Sequence, residues 1–411
     1  MEQHPRRHAS NGSAQTTRRR GAFPRWSQLA VEHVLLLPAG AVIAMIWVNA
    51  AAESYYGFTY RIAFAVNDVA MMFYFGLIAK EVVEATAPGG VLHSWRRAWL
   101  PVVGGVGAVI VPALLYFRVV EILEEPGLKV GWPITLGIDV AFAYLVARII
   151  FGRGAVLPFL LLLAIVADAV GFVVLGLFDL TRDLHLIYGG LIMALAIGVA
   201  IGLKRARLRS FWPYLLIAGP VSWLALFVGG LHPALALVPI IPFLPHAARD
   251  RGFLVDARPG AHDALSQFEL WWRYPAHITL FFFGLVNAGV RFSSLEPGTW
   301  GIPIALIVGR PAGVLLASAV AVACGMHLPH NVGWRDMLVI GFILAIGFSV
   351  GLFFSNELLA PGQLRAETSM GVLLTLLAAP VALVTARALR VGRFARPSPF
   401  GSGGQHADAV R

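Results

Sequence analysis

Long, continuously apolar stretches separated by short polar segments dominate the chain between residues 29 and 390. They run over 29–50, 62–83, 98–117, 132–150, 155–177, 184–203, 211–228, 231–245, 274–290, 301–325, 337–355 and 370–389. A helix needs about 20 apolar residues to cross a bilayer. The stretches do not alternate with a period of two, which excludes a membrane β-barrel. The pattern predicts an all-α membrane protein of about 12 transmembrane helices over residues 29–390. The division between 211–228 and 231–245 rests only on Gly229 and Gly230. Residues 1–28 form a basic N-terminal tail without the apolar core of a secretory signal. Residues 391–411 are rich in Gly, Ser and Pro and read as a disordered C-terminal tail.

The polar connectors carry their own signal. With the N-terminus in the cytoplasm and the spans alternating, 25 of the 32 Lys and Arg residues fall on the cytoplasmic side. Six (Arg61, Arg118, Lys129, Arg182, Arg291 and Arg365) fall outside, and Arg310 lies within a span. That asymmetry is the one the positive-inside rule expects. It predicts a multi-pass membrane protein with both termini cytoplasmic. Composition agrees, at 58% hydrophobic and 13% charged residues, against roughly 45–50% and about 25% in soluble domains. A soluble enzyme, a disordered chain and a disulfide scaffold are excluded, the last because Cys324 is the single cysteine. The net charge of +10 sits between spans, where it sets orientation rather than nucleic-acid binding.

Ionisable groups inside apolar spans are costly and mark function. Glu32, Asp68, Asp139, Asp168 and Arg310 are such groups. Glu32 and Asp68 lie near span ends, where an interfacial carboxylate is the simpler reading. Asp139 follows Pro133 and Gly137 in the fourth span, which predicts a late start or a break there. Asp168 sits mid-span with no Lys or Arg within ten residues, so its partner comes from another helix or from a bound cation. Arg310 precedes Pro311 in the tenth span. A buried structural ion pair is the plain alternative for these three. Two carboxylates with oxygen ligands and no Cys/His cluster suit a hard cation. The eleventh span holds Gly341, Gly347 and Gly351 and is expected to unwind at residues 346–348. Interrupted helices in both halves point to a transporter site. No nucleotide-binding loop is present, so the energy source is an ion gradient rather than ATP.

Several stretches, in order, resemble the NhaA family of sodium/proton antiporters from about Leu29 to Arg390. They are Val66-Asn67-Asp68-Val69-Ala70-Met71-Met72, Gly131-Trp132 with Ile138-Asp139-Val140-Ala141-Phe142-Ala143, and Leu163-Ala164-Ile165-Val166-Ala167-Asp168. The series continues with Val286-Asn287-Ala288-Gly289-Val290, Gly309-Arg310-Pro311-Ala312-Gly313 and Ile346-Gly347-Phe348-Ser349. The resemblance implies an inverted-repeat fold with crossing, interrupted helices 4 and 11, alternating access and a dimerising domain. It implies a secondary Na⁺(Li⁺)/H⁺ antiporter, not an enzyme, needing no cofactor and serving pH and sodium homeostasis. Asp168 and Asp139 would bind Na⁺ or H⁺, and Arg310 would balance charge. Asp68, Lys80, Glu81, Glu84 and His232 would be accessory or pH-sensing, His232 because Gly229-Gly230-Leu231-His232 resembles a family Gly-Val-His stretch.

Departures from the family pattern fall at the site. Ala167 replaces the first of two adjacent aspartates, Arg310 replaces a lysine, and Ile138 replaces a threonine. A related electroneutral branch of cation/proton antiporters carries a single aspartate with an arginine, so these residues lean toward electroneutral exchange. Two rivals stand beside this reading. One is a degenerate NhaA-fold protein without exchange, serving as a regulatory or scaffold subunit. The other is an intramembrane aspartyl protease, disfavoured because Ile165-Val166-Ala167-Asp168 lacks the glycine-rich stretch such enzymes need.

Overall fold

The structure, a computed structural model, describes residues 36–86, 95–152, 156–178, 185–245, 263–329 and 332–395. Among them no strand occurs. In chain order the α-helices begin with α1 (Leu36–Ala50), α2 (Ala52–Phe64), α3 (Met71–Thr86), α4 (Trp95–Ile122) and α5 (Val140–Phe151). There follow α6 (Val156–Phe178), α7 (Leu186–Arg205), α8 (Gly219–Gly229), α9 (Ala264–Asn287) and α10 (Gly301–Ala323). The last are α11 (Trp334–Leu344), α12 (Phe348–Leu358), α13 (Gln363–Leu374) and α14 (Ala378–Ala388).

Every expected span except the eighth has a helical counterpart. Residues 231–245 form only short 3-10 pieces, Pro233–Leu235 and Ile241–Phe243, joined by turns. Pro233, Pro239, Pro242 and Pro245 explain this, since each removes a backbone donor and obstructs the preceding turn. The segment is nonetheless interior: Ala234, Ala236, Leu237, Ile240 and Ile241 are all buried. Residues 52–61, which lie between the first two expected spans, belong to α2, which runs through a π-helical stretch, Ala65–Ala70, into α3. Such a bulge absorbs an extra residue without ending the helix. At the C-terminus the expected tail begins with a 3-10 turn, Gly392–Phe394, beside the buried Val391. Residues 1–35 and 396–411, and with them most of both tails and Glu32, lie outside the described residues.

Both expected interruptions are present. The 3-10 helix Pro126–Leu136 meets α5 at a bend of 59°, and α11 meets α12 at a bend of 44°. The breaks fall at residues 137–139 and 345–347. They touch: the Asp139 N–H donates to the Ile346 carbonyl at 2.8 Å. Gly137 makes this approach possible, because a Cβ there would lie 2.9 Å from the Gly351 nitrogen. Around the crossing, α10 packs along α4 more extensively than any other pair of helices. At Gly313 an added Cβ would strike the Gly107 carbonyl. Close backbone approach at small residues is how helices associate where water supplies no driving force.

A second body is built from α1, α2 and α9. The Tyr55 hydroxyl donates to the Leu285 and Val286 carbonyls at 2.8 and 2.9 Å. Asn67 and Asn287 pair their amides reciprocally at 2.8 and 3.1 Å, which brings together two stretches 220 residues apart that the sequence had singled out separately. The α7 helix is peripheral, with Ile187, Tyr188, Leu191 and Leu195 exposed, as suits a helix facing lipid.

Candidate functional site

The crossing leaves four helix ends in one place, and each pair of like ends meets one charged side chain. Asp139 caps the two N-terminal ends. Its carboxylate accepts from the Phe142 N–H of α5 at 3.1 Å and from the Ser349 N–H of α12 at 3.2 Å. Arg310 serves the two C-terminal ends. Its guanidinium donates to the Thr135 and Gly137 carbonyls, at the end of the 3-10 helix, and to the Leu344 carbonyl, at the end of α11. A fourth bond, from Nε, reaches the Ala108 carbonyl of α4 at 3.2 Å. Arginine offers five N–H groups in a fixed fork, and four are used here.

A charge count follows. Each helix end carries roughly half an elementary charge, positive at the N-terminus and negative at the C-terminus. Two N-termini therefore offset Asp139, and two C-termini offset Arg310. Both charged groups are buried, Asp139 1% and Arg310 0% exposed, and both are matched by backbone.

Asp168 is different. It lies on α6, 4% exposed, and neither of its carboxylate oxygens has a hydrogen-bond partner among the described residues. The Ile138 N–H leans toward it without reaching bonding geometry, and the Arg310 charge acts on it from a distance. It borders a cavity lined also by Phe75, Leu136, Gly137, Phe353 and Phe354, with about 10 Å³ of room, roughly the space of one water-sized particle. A buried carboxylate without donors is expensive and stable only when a proton or cation neutralises it. A carboxylate oxygen of this kind fits a hard monovalent cation. Among the described residues no group of three or more His, Cys, Asp or Glu could hold a resident metal.

The accessory candidates separate into two places. Lys80, buried on α3, is paired with Glu81 at 3.1 Å, Glu84 at 2.8 Å and Glu269 at 2.9 Å. Sequence reading found the first three. Glu269 was missed because it precedes the expected ninth span, whereas α9 begins five residues before it. Asp68 does not join the Asp168 cavity. It lies in the π-helical stretch and lines a separate vestibule of about 420 Å³ with Tyr60, Asn67 and Glu357. His232 is buried, with its Nε2 2.9 Å from Glu357. Glu357 was also missed, since it follows the eleventh span where a boundary carboxylate attracts no notice. Of the other histidines, His33, His93, His246 and His330 lie outside the described residues.

The comparison with known proteins is decided by coverage. A family model described as Na+/H+ antiporter 1 matches residues 26–386. The chain belongs to this antiporter family. Its similar relatives include the Na(+)/H(+) antiporter NhaA 2 of Pelobacter propionicus, 37% identical over 86% of this chain and 95% of the relative. The Na(+)/H(+) antiporter NhaA of Geobacter metallireducens is 37% identical over 87% of this chain and 96% of its own length. Among solved structures, the sodium proton antiporter MjNhaP1 from Methanocaldococcus jannaschii matches 88% of this chain and 93% of its own with a TM-score of 0.56. At 16% identity, that likeness concerns the fold. The antiporter family thus accounts for the helical architecture and for the order of motifs along the chain.

Proposed function

We propose that the chain is a secondary antiporter exchanging Na⁺ (and Li⁺) for H⁺ across the bacterial inner membrane, with Asp168 as the exchanging carboxylate. The observation that carries this reading is the imbalance at the crossing. Backbone dipoles match Asp139 and Arg310, while the charge of Asp168 is left for an ion to neutralise. Na⁺ and H⁺ then compete for one group, and alternating exposure of that group to the two sides yields exchange. The Lys/Arg asymmetry supports cytoplasmic termini and outward sodium movement driven by the proton gradient. The Lys80–Glu81–Glu84–Glu269 cluster supports a charged, pH-responsive inner mouth. A homodimer is the assembly this reading carries, and cross-linking between cysteines on the exposed face of α7 tests it.

Family relatives named as antiporters favour this reading over a scaffold without exchange, and no observation favours the scaffold. The test is Na⁺-dependent proton flux in proteoliposomes. Exchange is expected, with half-saturating Na⁺ rising about tenfold for each unit fall in pH while Asp168 is protonated in the sodium-free state, as one-for-one competition requires. A chain that inserts, purifies as a folded species and moves no protons with Na⁺ or Li⁺ sinks the proposal.

A further inference from the structure

Two cavities open on the side of the molecule away from the Lys80 cluster. Asp68 and Lys80 are 12 residues apart on one helical rod, a separation of about 18 Å at 1.5 Å per residue. The larger cavity, about 590 Å³, is lined by Tyr55, Tyr60, Asn287, Glu357 and Arg365 among others; the smaller, about 420 Å³, contains Asp68 and shares Tyr60, Asn67 and Glu357 with it. Glu357 is thus common to both chambers. Behind it lies His232, 1% exposed. The His232 ring sits edge-on to Phe353 with centroids 4.8 Å apart. Phe353 lines the Asp168 cavity and packs against Phe75 at 4.9 Å. Vestibule, Glu357, His232, Phe353 and ion cavity therefore stand in series.

The chemistry of the pair is defined by its second contact. His232 Nδ1 accepts from the Ala234 N–H at 3.1 Å. A backbone N–H can only donate, so Nδ1 carries the lone pair and Nε2 carries the hydrogen given to Glu357. The link therefore needs no positive charge on the imidazole. It ties the C-terminal turn of α12, one of the two broken helices, to the proline-rich 231–245 segment. Two further charged groups face Glu357: Arg365 of α13 acts on it, and Asp68 of the π-helical stretch shares its vestibule.

We propose that the His232–Glu357 pair, with Phe353 beneath it, is the latch that closes the Asp168 cavity toward this vestibule, so that ions reach Asp168 from that side only when the pair parts. The proposal draws its physiological meaning from the exchange reading, yet accessibility tests it without any transport. When α12 moves relative to the 231–245 segment, the hydrogen bond breaks and the Phe353 ring swings with the helix. His232 and Glu357 are positioning residues here, since neither touches the ion in Asp168's cavity.

The experiment uses the full chain in oriented membrane vesicles with Cys324, the single and exposed cysteine, replaced by serine. Gly171→Cys then places a thiol in the wall of the Asp168 cavity. Space exists for it, because the nearest atom an added Cβ would meet is the Leu136 Cβ at 3.9 Å. Labelling by a membrane-impermeant cationic methanethiosulfonate is timed from each side. Glu357→Leu and His232→Ala break the latch from opposite partners, so a folding failure in one leaves the other to decide. Either is expected to speed labelling from the vestibule side by about tenfold, as loss of one hydrogen bond to a charged group implies. Glu357→Gln still accepts from Nε2–H, and His232→Gln still donates to Glu357. Both should label within roughly twofold of the parent, since the bond survives. A folded Glu357→Leu or His232→Ala protein that labels at the parent rate overturns the latch. Na⁺-driven flux measured on the parent decides the exchange reading separately, because the labelling rates stand whether or not it transports.

Discussion

Asp139 and Asp168 are two aspartates at one crossing, both nearly inaccessible to solvent, in opposite circumstances. Asp139 accepts two backbone N–H groups from two helix starts. Asp168 accepts none within bonding geometry. Burial alone would rank them equal. The hydrogen bonds divide them: Asp139 is a cap whose charge the fold requires, and Asp168 is a charge the fold leaves unmatched. An unmatched buried charge contributes nothing to stability and is retained at a cost. The expected signature of a transport residue is therefore that removing it harms function and spares the fold.

The sharpest way to break this comparison is Asp168→Asn. The amide cannot release a proton or neutralise a cation, so Na⁺-dependent flux should fall to background. Melting temperature in detergent should stay level or rise, because no native bond is lost. Flux at the wild-type rate would show that another group carries the ion. A large drop in melting temperature would show that Asp168 is a structural residue after all.

Arg310→Ala tests the other side of the count and should be the most destabilising of these substitutions. Four carbonyls on three segments would lose their donor. The expected loss is about 3–5 kcal/mol, as for other disruptions of buried charged networks. Arg310→Lys should recover only part of it, since a compact ammonium with three donors cannot span the four acceptors of a planar fork. Equal stabilities for the wild-type and alanine proteins in a denaturant titration would remove Arg310 from the structural role.

Asp139→Asn should have a milder effect. Asparagine still caps one helix start, but it carries no charge to offset two N-termini. A loss of about 1–2 kcal/mol is expected from those two effects together, with Na⁺-dependent flux lowered and still measurable. Complete loss of flux in a stable Asp139→Asn protein would mean that Asp139 exchanges ions as well, and the distinction between the two aspartates would collapse.

Much of this was legible in the sequence, and the reasons are local. Pro133, Gly137 and the glycines of the eleventh span announce broken helices through their own backbone chemistry, and the breaks fall within a residue or two of where they were expected. Asp139, Asp168 and Arg310 stood out because charge inside an apolar span is rare. The same rule misread residues 231–245: apolar composition said helix, while four prolines imposed short 3-10 turns. Glu269 and Glu357 escaped because each lies at an expected span boundary, where a carboxylate needs no explanation. Their roles come from pairing with Lys80 and His232, and such pairing across distant segments leaves no trace in spacing. The sequence places Asp139 at an expected break and Asp168 mid-span, but only the converging helix ends show that the first is matched and the second is not.

The subtlest expected effect is an absence of response. If Asp139 and Arg310 stay matched by helix ends throughout the cycle, only Asp168 changes occupancy. Asp168 with Na⁺ is neutral, and Asp168 with H⁺ is neutral. One H⁺ then moves per Na⁺, and the membrane potential does no work on the cycle. A cycle carrying one net charge would feel about 2.3 kcal/mol per 100 mV. In liposomes with the potential clamped by potassium and valinomycin, the Na⁺ gradient that balances a given pH gradient should therefore not shift with voltage. Ala167→Asp sharpens the test. Ala167 is fully buried beside Asp168, so a carboxylate there adds a second group whose charge no helix end offsets. If that variant folds and exchanges, a voltage-dependent balance point in it alone would show that stoichiometry follows the number of unmatched carboxylates. A balance point that moves with voltage in the wild-type protein would mean that Asp139 or another group also titrates, and the one-carboxylate count would be wrong.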